Sequence, residues 1–338
     1  MTEITTLSQF LTTAQTQFQI YDLGRRVQHI DMMAFHQIES LKTPYPYPIQ
    51  GHAQFAVVFW NEDKQPYIWF IKLALDERGL FVPAARSQFI QMILEALGRD
   101  PTQPLTEQQQ QALANNPFSF KPSQEKLAVF NALVRKQLGL PASSQYESAI
   151  QYLSGQMPKE NWEYIGLQGI ADVCVRAKQL DHEQHILNGL ENSAIEVQGA
   201  LCQCLEHMDI SDDIAKLIYD AFVNSFEDLT LPLLRAVASH KEYSQKAVMH
   251  LIKQRKLSLD SILITIAARN WSVLSNEQIR LAYLEALALQ SQAFFNQVFA
   301  DLVAIPQLRN AMLGELRNPQ RSETLSKAIG GLFKATSH

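Results

Sequence analysis

The chain has 338 residues, of which 46% are hydrophobic and 19% are charged, a balance typical of folded globular proteins and unlike that of disordered ones. This length exceeds one ordinary compact core, so we expect two domains, or one domain and an array. A net charge of only −5 argues against a protein devoted wholly to nucleic acid or to an anionic membrane.

The first part of the chain predicts a mixture of helices and strands. An apolar stripe that runs from Leu7 to Phe18 predicts a short amphipathic helix. Residues 20–27 are a candidate strand, and Asp31 can cap a second helix after it. Residues 44–48 read Pro-Tyr-Pro-Tyr-Pro and cannot be helical, because each proline lacks an amide donor.

The clearest strands follow. Residues 53–60 and 67–75 are rich in β-branched and aromatic side chains, with polar residues between them, which predicts a β-hairpin at 53–75. Both strands are apolar on both faces, so we expect each face of the sheet to be covered. A helix is predicted at 84–97. Residues 1–98 therefore predict a small α+β domain.

The composition then changes. Residues 99–122 contain several prolines, a glutamine run and Asn-Asn-Pro, which indicates a linker. Every strong pattern in residues 123–338 is helical, so we predict an all-α domain there and a mainly α protein overall.

The helical part shows an internal repeat. With an offset of 30 residues, residues 167–187 align with 197–217, and both copies carry apolar residues at i, i+3, i+4, i+7 and i+8. Further first helices are predicted to start near Leu229, Asp260 and Phe294. The unequal spacing resembles degenerate HEAT-like helical pairs, which stack on their neighbours into a solenoid because one pair cannot bury its apolar stripe alone.

Three stretches together resemble an uncharacterised bacterial family of about this length, known only as a domain of unknown function. They are residues 21–27 (Tyr-Asp-Leu-Gly-Arg-Arg-Val), the proline–tyrosine run at 44–48, and the strand at 68–75 with Asp-Glu-Arg-Gly-Leu after it. The resemblance covers the whole chain and implies no activity. The likeness of the C-terminal half to HEAT-type arrays implies partner binding rather than chemistry.

The candidate chemical motifs are weak. His182 and His185 lie one residue closer than the zincin spacing requires, at the expected position of a loop, so we interpret them as surface residues and not as metal ligands. Cys174 and Cys204 occupy the same repeat position, and with Cys202 they are interpreted as buried structural residues. No phosphate loop, nucleophile elbow or carboxylate pair occurs, so we predict no catalytic residue, metal or cofactor.

The charges are segregated along the chain. The acidic segment, residues 160–228, holds 14 acidic and 3 basic residues, whereas the basic segment, residues 229–338, holds 13 basic and 7 acidic residues. Five residues form the candidate partner-binding face: Lys246, His250, Lys253, Arg255 and Lys256. A solvated outer surface is the alternative interpretation. Arg25 and Arg26 are further contact candidates, although we favour a solvated pair there as well.

Three functions remain open. The sequence favours a protein–protein interaction scaffold or adaptor over an enzyme, and self-pairing of two copies is compatible with it. The alternative is a nucleic-acid-binding repeat protein that uses residues 235–256, weakened by the acidic segment and by the lack of aromatic residues between the basic ones. An enzyme with dispersed site residues ranks third. The N-terminus lacks a secretory signal, no apolar run is long enough to span a membrane, and three cysteines form no disulfide framework, so we expect a cytoplasmic protein.

Overall fold

The computed structural model describes residues 4–61, 65–97, 106–108, 116–179, 181–224 and 227–336. By its internal contacts the chain divides into two compact units. The first comprises residues 1–123 with 304–307, and the second comprises residues 124–303 with 308–338. The predicted fold class, an α+β N-terminal region followed by helices, is confirmed.

The first unit is built around one antiparallel sheet with the strand order β2-β1-β3-β4. Its elements are α1 (Leu7–Thr13), β1 (Gln17–Asp22), β2 (Gln28–Ile30), α2 (Met32–Glu39), β3 (His52–Trp60), β4 (Tyr67–Ala74) and α3 (Pro83–Leu97). The predicted hairpin is β3–β4, in which Val57 pairs with Trp69. Residues 55–60 of β3 are all buried, as expected for a strand whose two faces are covered. The aromatic core beside β3 includes Phe35, Tyr45, Phe55 and Phe81.

Two predicted boundaries are wrong. The first helix ends at Thr13, because Gln15 adopts a φ of +58° and turns the chain into β1, which carries Phe18. The predicted strand at 20–27 ends at Asp22. The Asp22 carboxylate accepts the amide hydrogens of Gly24 and Arg25, so those amides are not used in the ladder, and residues 23–27 form a loop before β2.

Most of the predicted linker, residues 99–105 and 109–115 in particular, lies outside the described residues. Its last part lies against the sheet. The amide of Lys72 in β4 donates to the carbonyl of Phe118 at 2.7 Å, and the amide of Phe120 donates to the carbonyl of Phe70 at 3.3 Å. Residues 118–120 therefore cover part of the outer edge of β4.

The second unit is helical wherever it forms regular structure in its described residues. Its helices are α4 (Gln124–Gln137), α5 (Tyr146–Leu153), α6 (Leu167–Val175), α7 (His182–Asn192), α8 (Ile195–Leu205), α9 (Asp212–Val223), α10 (Glu227–Ala236), α11 (Lys241–Lys253), α12 (Asp260–Ala268), α13 (Glu277–Leu287), α14 (Gln292–Ala304), α15 (Pro306–Glu315) and α16 (Glu323–Thr336). Short 3-10 helices lie at Lys159–Tyr164, Val237–Ser239 and Trp271–Ser275.

These helices contact one another in two parallel series. The even-numbered helices α4, α6, α8, α10 and α12 each contact the next in that series, and the odd-numbered helices α5, α7, α9, α11 and α13 do the same. Contacts such as α7 with α8 and α9 with α10 join the two series. The predicted first helices of the pairs match α6, α8, α10, α12 and α14, which begin within two residues of the predicted positions.

Candidate functional site

The five residues of the candidate partner-binding face lie on α11 and the loop after it, but they do not act alike. Lys246 forms an ion pair of 2.5 Å with Glu242, and its amine lies 4.4 Å from the centroid of the Tyr243 ring. His250 is half-buried with its ring edge-to-face on Phe222. Lys253, Arg255 and Lys256 are exposed. We call these three residues the basic loop, because they are exposed and no ion pair is found for them in the part of the chain that the structure describes.

Arg255 has a left-handed backbone conformation, which Gln15, Leu41, Gln50 and Asp181 also adopt. Its φ is +55°, and its amide and that of Lys256 donate to the carbonyls of Ile252 and Leu251 at 3.1 and 3.0 Å. This is a Schellman ending of α11, in which glycine is the favoured residue. The equivalent position after α4 is Gly139, with a φ of +69°. An L-residue in this conformation costs about 1 kcal/mol more than glycine does.

A shallow apolar groove lies beside the basic loop. It encloses about 360 Å³. Its walls include Ile252, Leu257 and Leu289, and Arg255 lies at its rim. Leu289 is 66% exposed. The only acid among the lining residues, Glu285, accepts hydrogen bonds from the amide (2.8 Å) and the hydroxyl of Ser322, and thereby helps to cap α16.

Some side chains of the acidic segment form ion pairs with side chains of the basic segment inside the second unit. Glu206, from the acidic segment, is 1% exposed. Its carboxylate accepts hydrogen bonds from Arg235 at 2.5 Å and from Arg269 at 3.0 Å, both from the basic segment, and His207 lies 3.3 Å away. Burial would raise the pKa of Glu206, but His207, Arg269 and Arg235 lower it to about 2. These charges stabilise the fold and are not available to a partner.

Arg25 and Arg26 do not form the solvated pair that we favoured from the sequence. Arg25 is completely buried, and its Nε donates to the carbonyl of Pro48 at 2.8 Å. Asp22, also completely buried, accepts the amides of Gly24, Arg25 and Arg26 and the Tyr45 hydroxyl, the last at 2.7 Å. Arg25 is buried and therefore cannot contact a partner, whereas Arg26 in the same loop is half-buried.

The Asp22 cluster therefore joins two of the stretches on which the family resemblance rests, and its role is to fix their loops. We expect Tyr45→Phe to lower the free energy of unfolding by about 1–3 kcal/mol, because it removes a hydrogen bond to a buried carboxylate. Burial, and then the charge of Asp22, raise the pKa of Tyr45 well above its usual value, so this hydroxyl stays a donor at neutral pH. Urea unfolding of the variant measures the loss.

Tyr21→Phe is the matched control for this change. The Tyr21 hydroxyl donates to the side chain of Gln19 at 2.9 Å in a part-buried hydrogen bond. A similar loss in both variants would contradict a special role for the bond between Tyr45 and Asp22.

The weak chemical motifs are also located. We expected His182 and His185 in a loop, but they lie in the first turns of α7. His182 forms a hydrogen bond of 2.5 Å with the hydroxyl of Tyr146. Cys174, Cys202 and Cys204 are free and buried, as predicted. Cys204 and Cys174 share a hydrogen bond, and this bond and burial raise the pKa of the Cys204 thiol well above its usual value.

Within the described ranges, no group of three or more histidine, cysteine or acidic side chains is arranged to hold a metal ion. Over the same ranges, no helix combines the length and the apolar character that a bilayer span requires.

Comparison with protein families gives a match over nearly the whole chain. The model of a family described as "Protein of unknown function (DUF3549)" matches residues 2–333. No curated protein and no solved structure matches the chain.

Proposed function

We propose that this chain, which belongs to the DUF3549 family of proteins of unknown function, is a cytoplasmic scaffold or adaptor that binds a partner protein through its helical unit. The surface is the basic loop, Lys253, Arg255 and Lys256, together with the groove beside it. The ligand is an acidic, amphipathic segment of the partner, whose apolar side chains enter the groove while its carboxylates face the loop.

The observation that carries the proposal is the position of Arg255 between two other exposed cations and an apolar groove. Glycine would be more stable at this position. The same chain uses glycine in the equivalent ending of α4 and leucine, Leu41, in that of α2. The strained arginine is exposed and lies at the rim of an apolar groove. Backbone strain of this kind concentrates at binding sites, where the side chain compensates for its cost by contacting a ligand.

Two further observations favour a protein ligand over nucleic acid. None of the lining residues of the groove is aromatic, so the groove offers no surface on which bases would stack. Of the predicted basic stretch 235–256, Arg235 is bonded to the buried Glu206 and Lys246 to Glu242.

The two stacked series of helices support a HEAT-like array with an extended surface, and three free cysteines support a reducing compartment.

The sharpest test uses Arg255→Gly. We expect this variant to be more stable than the wild type by about 1 kcal/mol, because the left-handed position becomes unstrained. Its affinity for the partner should nevertheless fall. Thermal unfolding measures the first effect, and titration with the partner, identified by affinity capture and then purified, measures the second. A purely structural residue would not raise stability and weaken binding together.

A triple variant, Lys253→Ala with Arg255→Ala and Lys256→Ala, tests the electrostatic contribution. Its affinity should fall about tenfold, mainly through the association rate, and the salt dependence of binding should weaken. The matched control replaces three exposed lysines elsewhere in the unit, Lys178, Lys216 and Lys241, with alanine. Equal losses in both triple variants would overturn the proposal, as would salt-dependent retention on DNA with no protein partner.

A further inference from the structure

The first unit contains a larger cavity that the proposed scaffold function does not use. It encloses about 630 Å³, within the range of about 300–1,000 Å³ of small-molecule sites. Three parts of the unit line it: β4, α3 and residues 116–121. A cavity walled on three sides, unlike an open groove, favours a small ligand over a protein segment.

The chain builds the third wall by a turn at residues 116–119. Asn116 accepts the amide of Phe118 with its side chain at 2.8 Å and that of Ser119 with its carbonyl at 3.3 Å, and Pro117 occupies the second turn position, where proline is favoured. Pairing with β4 then fixes Phe118, whose ring lies edge-to-face on Phe89, 5.8 Å between centroids. The hydrogen bonds of the turn and the pairing with β4 therefore hold this wall in place.

The other walls are mainly apolar and only partly covered. Trp69 packs on Phe59 within the core, with ring centroids 4.5 Å apart, and also lines the cavity, as Met92 does from α3. Both Trp69 and Met92 are half-buried. A ligand that covers these side chains would remove apolar surface from water, which favours binding.

The charged side chain that lines the cavity is basic. Lys121 lines the cavity from residues 116–121 and is exposed, and no acidic residue is among the lining residues. A ligand that covers the apolar walls and ends at Lys121 should therefore carry one anionic group, since an anion gains more from the ammonium than an uncharged acceptor does.

We propose that this cavity binds a long-chain carboxylate of the fatty-acid class. Its hydrocarbon chain lies against Trp69, Met92 and Phe118, and its carboxylate pairs with the ammonium of Lys121. The site is independent of the basic loop, so the failure of either proposal leaves the other intact.

The test is displacement of the fluorescent fatty acid cis-parinarate from the full-length chain by oleate and by oleyl alcohol. Met92→Trp places a larger side chain in the cavity and should weaken the binding of both ligands. Met33→Trp is its control, because Met33 is 78% exposed on α2 and does not line the cavity. Circular dichroism establishes that both variants are folded.

Lys121→Glu tests the head group, with Lys42→Glu as the control at an exposed lysine of the same unit that does not line the cavity. We expect Lys121→Glu to lower the affinity for oleate about tenfold and to leave the affinity for oleyl alcohol unchanged. Lys42→Glu should change neither affinity. Lys121 is exposed, so this variant keeps its fold even where Met92→Trp does not.

Three results would overturn the proposal: no saturable binding of oleate by the wild type, oleate binding that ignores both cavity substitutions, or retention on phosphatidylglycerol vesicles without binding of dissolved oleate. The last would assign the affinity to a membrane surface and not to a cavity.

Discussion

Glu206→Gln should lower the free energy of unfolding by about 3–5 kcal/mol, a large fraction of the total stability of a typical domain. The substitution keeps the shape of the side chain but removes the charge that two guanidinium groups share. Arg235 is 31% and Arg269 is 15% exposed in their side chains, so both would stay partly buried without their carboxylate. Urea unfolding at neutral pH measures the loss.

The same carboxylate predicts a pH dependence. The pKa of Glu206 is lowered from 4.5 to about 2 in the folded protein, so its contribution is complete above pH 4.5 and is lost as pH falls through 2. The wild type should lose about 3 kcal/mol over this interval through Glu206. The difference between wild type and Glu206→Gln should therefore shrink in acid.

Glu191→Gln is the control for this experiment. Glu191 is exposed in the last turn of α7, and its replacement should change stability by less than about 0.5 kcal/mol. A difference between wild type and Glu206→Gln that stays constant from neutral pH to pH 2 would contradict an ion-pair role for Glu206.

Substitutions at two repeat-equivalent glycines should have opposite signs. Gly169 in α6 and Gly199 in α8 align in the sequence repeat, but a Cβ at Gly169 would lie 2.4 Å from the carbonyl oxygen of Gln145, whereas one at Gly199 would meet nothing within 4 Å. Gly169→Ala should destabilise by about 1–3 kcal/mol or more, because backbone must move. Gly199→Ala should stabilise by about 0.5–1 kcal/mol through helix propensity.

Thermal unfolding of the two alanine variants checks this pair, and each serves as the control of the other. Equal shifts of the same sign would mean that α5 can move away from α6 at little cost, contrary to the close approach of Gln145 and Gly169.

Periodicity was enough to predict most elements of the fold. The apolar stripes at 167–175 and 197–205 recur because each first helix buries the same face against its neighbours, and burial of Ile170, Cys174, Leu201 and Cys204 follows. The hairpin at 53–75 was equally readable from its β-branched and aromatic residues. A solenoid assignment goes further than the observed contacts and remains a prediction.

Long-range polar contacts could not be predicted in this way. Glu206 is separated by 29 residues from Arg235 and by 63 from Arg269, and nothing in the local pattern of any of the three indicates a partner. From the sequence these three residues were therefore interpreted only as part of the charged segments. Arg25 was missed for the same reason, because its acceptor, the carbonyl of Pro48, comes from a loop 23 residues away. The strain at Arg255 leaves no trace in a sequence that lacks the glycine.

The position of Glu206 also limits how this part of the chain can change in length. Glu206 ends α8, Arg235 lies in α10 and Arg269 ends α12, so a single carboxylate bridges three successive first helices. Repeat arrays commonly gain or lose whole units, because each unit contacts only its neighbours. Here, insertion or deletion of one helical pair between residues 206 and 269 would move a guanidinium out of reach and leave a buried charge uncompensated. The number of pairs in this stretch is therefore constrained.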